Sequence, residues 1–502
     1  MPNTMTRQLK AMSLGIKHPL VIVIVGKRHL EVERGVFLTT HSYYLARDAK
    51  QLARMNPYSP LSTLIASAML RDRGHPVMHF DPTFAAGVGS FEDALDRTGP
   101  SVVAIMEDSF NFLTKMCTVR RREDALAMIA AAKRRGCLVL VNGPDSQDRP
   151  GGYFRAGADA VLLGEGEAAL AEIADLRRTD PQARLDQVAG LMLPTRNGRI
   201  RRTAPRGPQR NLDELPFPAW DLVDADAYRS AWRSRHGYFS WNMATSRGCP
   251  YACNWCAKPT FGRGYEQRSA GSVAMEMRLL KDTIAPDHIW FSDDIFGMTT
   301  GWLHAFAAEI GRLDARIPFM MQSRVNLMRP EAVDALARAG AEEVWLGVES
   351  GSQKILDAMD KGSRVHEARA ATRELKAHGI RTCWFIQLGY PGETWEDLCL
   401  TRDLILGEKP DDIGVSVAYP LPGTRFYDLV RAQLGEQQNW QDSDDLAMLF
   451  EGTYNTGFYR AVRDLLHDEV RSTGRDDARW AGLARDGAMH RSANPMMFAA
   501  GS

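Results

Sequence analysis

The sequence predicts an α/β protein: an N-terminal doubly wound, Rossmann-like parallel sheet, then a partial barrel of six β/α units, then a small helical C-terminal segment. Three observations carry this. Strand-like and helix-like segments alternate over roughly the first 180 residues. Prolines then interrupt the pattern at 181, 194, 205, 208, 216 and 218, where neither a helix nor a central strand can continue. The alternation resumes about six times between Tyr238 and Val430. At 502 residues the chain is too long for one core, and the expected domains are 1–180, a linker 181–235, 236–430, and an extension 431–502.

In the first domain, either Val36-Phe37-Leu38 or Val21 to Val25 supplies the first strand. Pro60 to Arg73 puts Leu61, Leu64, Ile65, Ala68 and Met69 on one helical face, stopped by Gly74. Val77 to Phe80 reads as a short strand, Val102 to Met106 as a buried one, and Arg121 to Arg135 as a helix ended by Gly136. Leu138 to Val141 runs into Asn142-Gly143-Pro144-Asp145, and Ala160 to Leu163 into Gly164-Glu165-Gly166-Glu167. Ligands of such sheets sit beyond the carboxyl ends of the strands, so the loops at Ser109, Asn142-Gly143 and Gly164-Glu165 are expected to meet at one crevice. Taken alone, these glycines serve equally well as plain turn residues. In the linker, Leu215, Phe217 and Trp220 read as a strap packed between domains.

Composition narrows the function. Lys plus Arg equals Asp plus Glu at 62 each, which argues against a polyanion-binding surface and so against a nucleic-acid partner. Seven cysteines are an odd number, and Cys117, Cys137, Cys383 and Cys399 stand singly in apolar or helical surroundings. They read as reduced core thiols and place the chain in a reducing cytoplasm. Met1 to Lys17 lacks a secretory pattern, and no apolar run reaches membrane length.

The remaining three cysteines lie in Ser246-Arg247-Gly248-Cys249-Pro250-Tyr251-Ala252-Cys253-Asn254-Trp255-Cys256. Thiolates suit zinc and iron–sulfur clusters, and a closed site of either kind takes four ligands. Here the local set stops at three, leaving one metal position open. A zinc site completed by histidine is the alternative, but no His falls between Thr245 and Arg268. The strand Tyr238 to Thr245 leads into this loop, and a helix follows around Val273 to Lys281. The second strand, Ile289 to Phe296, exits through Asp293-Asp294, the end where barrels carry their chemistry; the same pair also suits a solvated turn. The third, Phe319 to Asn326, puts Gln322, Arg324 and Asn326 on one face, and an interior Arg324 calls for an anionic partner. The fourth, from Val344, ends in Glu349-Ser350-Gly351-Ser352. The fifth and sixth, Thr382 to Leu388 and Gly414 to Ala418, run into Gly389-Tyr390-Pro391-Gly392-Glu393-Thr394 and Tyr419-Pro420-Leu421-Pro422-Gly423-Thr424. Beyond Val430, Tyr459 to Val470 and Asp477 to Arg485 read as helices before a loose tail, capping the barrel or forming a docking module.

The CxxxCxxC spacing, with Trp255 just before the last cysteine, resembles the signature of the radical S-adenosylmethionine (SAM) enzymes. Asn142 to Asp145, then Gly157 to Glu167, then this motif, resemble in order the cobalamin-dependent branch of that family, which includes the anaerobic magnesium-protoporphyrin monomethyl ester cyclase and many carbon methyltransferases. The resemblance spans roughly residues 35 to 430, with Asn211 to Trp220 similar to the family's linker and both glycine-proline exits similar to its loops. It implies a cobalamin-binding-type domain ahead of a radical SAM barrel. Cys249, Cys253 and Cys256 would hold a [4Fe-4S] cluster whose open iron chelates SAM, beside Trp255. Asp293 and Asp294 would stand by the methionine amine, and Gln322, Arg324, Glu349 and Ser350 by the ribose and carboxylate. Ser109, Asn142, Gly143, Gly164 and Glu165 would line the cobalamin crevice. One departure is that the Asp-x-His-x-x-Gly motif is absent, so cobalt would lack a histidine ligand; a degenerate domain kept for shape is the alternative.

The implied activity is reductive cleavage of SAM to a 5′-deoxyadenosyl radical, which attacks an unactivated carbon. A flavodoxin or ferredoxin-type protein would supply the electron, and a small molecule (a lipid, a tetrapyrrole or a secondary-metabolite precursor) would be the substrate. Methyl transfer comes first among outcomes, with oxidative cyclisation the alternative, since kinship of fold does not choose between them. Outside catalysis stands a corrinoid and iron–sulfur carrier or sensor. A tRNA methylthiotransferase is disfavoured, because Cys117 and Cys137 are too few for a second cluster and the C-terminal segment is mixed in charge.

Overall fold

The computed structural model describes residues 36–39, 57–85, 87–108, 110, 119–256, 264–434, 447–472 and 474–489, all within one compact unit spanning 34–502. Two parallel sheets organise it. The first joins β1 (Val36–Thr39), β2 (Val77–Phe80), β3 (Val102–Met106), β4 (Leu138–Asn142) and β5 (Ala160–Leu162), with β6 (Leu191–Pro194) and β7 (Ile200–Arg202) added antiparallel, in the order β2-β1-β3-β4-β5-β6-β7. The apolar run of β3 explains its central place, since parallel strands are covered on both faces. Val102, Ala104 and Met106 pack under the helices Leu61–Asp72 and Glu167–Thr179. Val103 and Ile105 pack under Val88–Thr98 and Val119–Arg134.

Two expectations need adjustment. Of the two candidate first strands, Val36–Thr39 is a strand, while Val21 to Val25 lies outside the described residues, as do Cys117 and the tail beyond 489. The sheet also reaches Arg202, past the boundary set at 180: Pro194 is the last residue of β6, past that strand's pairing with β5 and opposite Ile200 of the edge strand β7, so it interrupts no central ladder. The strap packs as expected. The Trp220 indole N–H donates to Glu276 (3.1 Å), Ala219 N donates to Leu64 O (3.1 Å), and the Arg268 guanidinium lies 5.3 Å from the Phe217 ring centre.

The second sheet begins with β8 (Ser240–Met243). A short antiparallel pair, β9 (Ser246–Arg247) and β10 (Glu266–Gln267), brackets the cysteine loop. Then come β11 (His288–Phe291), β12 (Phe319–Ser323), β13 (Ala341–Glu349), β14 (Arg381–Leu388) and β15 (Asp412–Val417), parallel throughout and paired in chain order. On the helix side Phe291, Phe319, Met321, Val344, Leu346, Trp384 and Ile386 are buried. The helix Thr456–Ser472 adds Tyr459, Val462, Leu465 and Leu466 to this core. It is tied down by Arg402 Nε, 2.9 and 3.1 Å from the Glu469 carboxylate.

Before the helix Leu61–Asp72, Ser59 docks on the Asn242 side chain of β8. Its N–H and hydroxyl donate to Asn242 Oδ1 (3.1 and 2.7 Å), and its carbonyl accepts from Asn242 Nδ2 (2.9 Å). Among the described residues no helix is long and apolar enough to cross a membrane.

Candidate functional site

The cysteine loop lies at the carboxyl end of the six-stranded sheet, fastened through Asn254. Its main chain donates to Met359 O and accepts from Phe426 N, both at 3.0 Å. Its side chain donates to Ala358 O (2.7 Å) and accepts from the Tyr390 hydroxyl (3.0 Å). The exits of β13, β14 and β15 therefore hold the loop jointly. Cys249, Cys253 and Cys256 are partly exposed, whereas Cys137 and Cys383 are buried, and burial pushes the Cys383 thiol well above its usual range. Among the described residues no three His, Cys, Asp or Glu side chains stand as close as a single bound ion requires. A four-iron cube separates its thiolates more widely than one ion does.

Cations surround the loop. Arg324, buried just past β12, donates to Cys253 Sγ (3.5 Å), to Asn326 Oδ1 (3.2 Å) and to Lys361 O, and its guanidinium lies 3.8 Å from the Tyr251 ring centre. The guanidinium thus sets a positive charge directly beside the Cys253 sulfur. Lys361 Nζ sits 5.9 Å from the Trp255 ring and donates to Glu349 Oε1 at 2.7 Å, both side chains 6% exposed. Glu349 itself has φ of +65° where β13 shifts register against β14, a strained conformation of the kind that gathers at functional sites. Three thiols at one strand exit, among cations and half open to solvent, are the donor set a three-thiolate cluster with one open iron takes.

The acidic pair divides. Asp293 is fully buried, and its carboxylate accepts from Thr245 N (3.0 Å), from the Thr245 hydroxyl (2.7 Å) and from the Ser246 hydroxyl. Burial pushes it up to about 6 against those hydrogen bonds. Asp293 thus clamps the entry to the cysteine loop, its carboxylate held by Thr245 and Ser246. Asp294 is half-buried beside it. Gln322 donates to Asp293 O (2.6 Å). Ser350 shapes the turn after β13, accepting from Ser352 N (3.1 Å) and lying 3.2 Å from the Thr401 hydroxyl. At the exit of β14, Glu393 is fully buried; one carboxyl oxygen accepts from Gly389 N (2.7 Å) and Oε1 has no hydrogen-bond partner. Burial, with Asp397 nearby, pushes this carboxyl up to about 8.

In the first sheet the exits of β4 and β5 do meet; Ser109 lies outside the described residues. Asn142 Nδ2 donates to Leu162 O and Gly164 O, both at 3.0 Å. Gly143 (φ +148°) and Gly166 (φ +83°) allow the crowding, since a Cβ on the first would fall 2.5 Å from Glu107 and on the second 2.7 Å from Asn142. Sequence reasoning missed what happens next. Arg247, buried two residues before Cys249, reaches Glu165 (3.3 Å) and Glu167 (2.7 Å), with the Phe110 ring at 5.5 Å. Burial pushes the Glu167 carboxyl up against the pull of Arg247. The signal was present in the adjacency of Arg247 to the motif and in the paired glutamates of the glycine loop. Nothing in the sequence joined Lys361 to Glu349.

Residues 243–405 match the profile of the Radical SAM superfamily. An uncharacterized methyltransferase of Pyrococcus horikoshii is 28% identical over 320 residues, covering 63% of this chain and 68% of that protein. An anaerobic magnesium-protoporphyrin IX monomethyl ester cyclase of Rubrivivax gelatinosus is 25% identical over 287 residues, 56% of this chain and 49% of its own length. Among solved structures, the radical S-adenosylmethionine methyltransferase TsrM from Kitasatospora setae, with cobalamin and a [4Fe-4S] cluster bound, superposes with a TM-score of 0.66 over 81% of this chain and 79% of that one, at 19% identity. At that identity the likeness speaks for the fold alone. By the superfamily match, residues 243–405 are a radical SAM domain, of the kind that works with a [4Fe-4S] cluster and SAM, which marks the protein as an enzyme.

Proposed function

We propose that the protein uses a [4Fe-4S] cluster on Cys249, Cys253 and Cys256, SAM and cobalamin to methylate an unactivated carbon of a small molecule. The observation that carries the reading is Arg247. It ties the exit loop of β5, which we read as the corrinoid side, to the start of the cysteine loop through a buried ion pair.

When bound, the cluster supplies the electron that opens SAM, and a methylated corrinoid supplies the methyl group. The chain's own residues do the rest. Arg324 and Lys361 present positive charge to the thiolates and to an incoming carboxylate. Asp293 fixes the strand exit from which the loop departs, and Asp294 stands as the acceptor for SAM's amine. Glu349 and Ser350 lie where the ribose and carboxylate of SAM would rest. Asn142, Gly143, Gly164 and Glu165 shape the corrinoid crevice, with Ser109 assigned to it from sequence. The six-stranded sheet is read as the partial barrel, 181–235 as the linker, and 431–502 as the extension closing the barrel's last strands. A flavodoxin or ferredoxin-type donor and a cytoplasmic setting complete the reading. Oxidative cyclisation is the second outcome, supported by the likeness to the cyclase across 49% of that protein's length.

The test is anaerobic purification, iron and sulfide reconstitution, and reaction with dithionite and SAM. Production of 5′-deoxyadenosine is expected, with S-adenosylhomocysteine marking methylation. Absence of both products from a protein with an intact cluster refutes the enzymatic reading. Cys249→Ala, Cys253→Ala or Cys256→Ala should abolish the brown chromophore, and Cys383→Ala should keep it.

A further inference from the structure

Glu349 keeps a left-handed backbone (φ +65°) although it carries a side chain. Such a conformation persists only where the surrounding structure holds it. The three residues that follow show what does so. Strand β13 ends at Glu349, and Ser350, Gly351 and Ser352, all buried, lie on the helix Trp395–Glu408. Gly351 N donates to the Thr401 hydroxyl oxygen (2.9 Å), which is 3.2 Å from the Ser350 hydroxyl. The Ser352 hydroxyl donates to Asp397 Oδ1 (2.6 Å), while the other carboxylate oxygen of Asp397 caps the same helix at Thr394 N (2.8 Å). The approach is close enough to require glycine, since a Cβ on Gly351 would fall 2.3 Å from Leu400 O.

The Thr401 hydroxyl is fully engaged. A hydroxyl offers one donor and two acceptor lone pairs. Its proton goes to Asp397 O (3.0 Å), so it accepts in both remaining contacts, from the Gly351 N–H and from the Ser350 O–H. Ser350 accepts in turn from Ser352 N (3.1 Å), which closes the turn on itself. One residue later, Arg402 is bound by Glu469 of the helix Thr456–Ser472, so the platform under the turn is itself anchored. At the near end of the turn, the Glu349 carboxylate meets Lys361 Nζ (2.7 Å), which lies 5.9 Å from the Trp255 ring centre of the cysteine loop.

We propose that Thr401 and Asp397 are positioning residues for SAM: through the turn 350–352 they keep Glu349 left-handed and its carboxylate on Lys361, without touching the ligand. The inference rests on the radical SAM reading, which puts Glu349 beside SAM, and it adds two residues from a separate element.

The reconstituted, anaerobic protein is reduced with dithionite and titrated with SAM. Affinity is read from the change in the electron paramagnetic resonance spectrum of the cluster, and KM and kcat from the release of 5′-deoxyadenosine. Thr401→Val keeps the shape of the side chain but strands one N–H and one O–H. It should weaken SAM binding and raise KM about tenfold, the ratio that corresponds to one lost buried hydrogen bond, with kcat within about twofold of the parent's. Thr401→Ser keeps the hydroxyl and should return affinity and KM to within about twofold. Ser352→Ala removes the donor to Asp397 and should act like Thr401→Val; it takes that variant's place if Thr401→Val loses the cluster absorbance of the parent. A double-mutant cycle separates positioning from plain support. Glycine at 349 adopts the left-handed backbone freely and carries no carboxylate, so in a Glu349→Gly background Thr401→Val should change SAM affinity by less than about twofold. Parental SAM affinity in Thr401→Val, a Thr401→Ser protein as weak as Thr401→Val, or a tenfold loss that persists with Glu349→Gly overturns the proposal. A parent that binds SAM without releasing 5′-deoxyadenosine sinks the radical reading alone. A parent that cleaves SAM, beside a Thr401→Val protein of equal affinity, sinks the positioning role alone, and a parent that neither binds nor cleaves SAM sinks both.

Discussion

Replacing Glu393 by Gln should stabilise the protein, and increasingly so as pH rises. The carboxyl is fully buried, one oxygen takes the Gly389 N–H, and Oε1 lacks a partner, an arrangement that suits a protonated acid better than an anion. Its affinity for the proton rises from the usual 4.5 to about 8. In the folded state the group keeps a proton that the unfolded chain releases above 4.5. Its contribution is therefore fully present below that value and falls as pH climbs through the folded value, a loss that levels off near roughly 5 kcal/mol above about pH 8. Glutamine keeps the acceptor for Gly389 and cannot ionise, so the variant should escape this loss. Between about pH 5.5 and 8.5 the advantage of Glu393→Gln over the parent should grow by roughly 3 kcal/mol. Thermal unfolding of both proteins across this range, followed by tryptophan fluorescence, reads the difference as a widening gap in Tm of several degrees. Parallel Tm profiles, or a variant that loses ground as pH rises, would refute the reasoning.

Arg247→Met should cost about 3–5 kcal/mol, because it strands Glu165 and Glu167 without their cation; Glu165→Gln with Glu167→Gln should restore much of this in the same background, measured by thermal unfolding. Arg324→Met removes a positive charge from beside Cys253, so potentiometric titration followed by electron paramagnetic resonance should find the reconstituted cluster harder to reduce, while Arg324→Lys should lie between that variant and the parent. Gly351→Ala brings a methyl group within 2.3 Å of Leu400 O and 2.6 Å of Thr401 Cα; backbone cannot yield cheaply, and a loss of about 1–3 kcal/mol is expected in the same unfolding assay.

The alternation of elements was legible because strands such as β3 and β4 are short apolar runs, and the helix Leu61–Asp72 carries its apolar stripe openly. The cysteine loop was legible because spacing alone defines it. What escaped depended on distance in space. Asp293 looked like a ligand by its place at a strand exit, yet the neighbouring strand's Thr245 and Ser246 hold its carboxylate. Strands β6 and β7 were hidden because proline reads as a break until it is seen to stand at a strand's last position, past the pairing with β5. Lys361 stands twelve positions after Glu349, and only the folding of the intervening helix Gln353–Ala358 brings the ammonium back to the carboxylate.

The docking of Ser59 on Asn242 limits how this architecture can be rearranged. A cut placed in the linker, where composition suggests one, would leave the tetrapeptide Pro57 to Pro60 with the wrong piece and strip the first barrel strand of a neighbour supplied from some 180 positions upstream. Chimeras that exchange the N-terminal half should therefore carry this tetrapeptide over from the barrel's parent. During synthesis, the strand that launches the cysteine loop finds its outer companion already made.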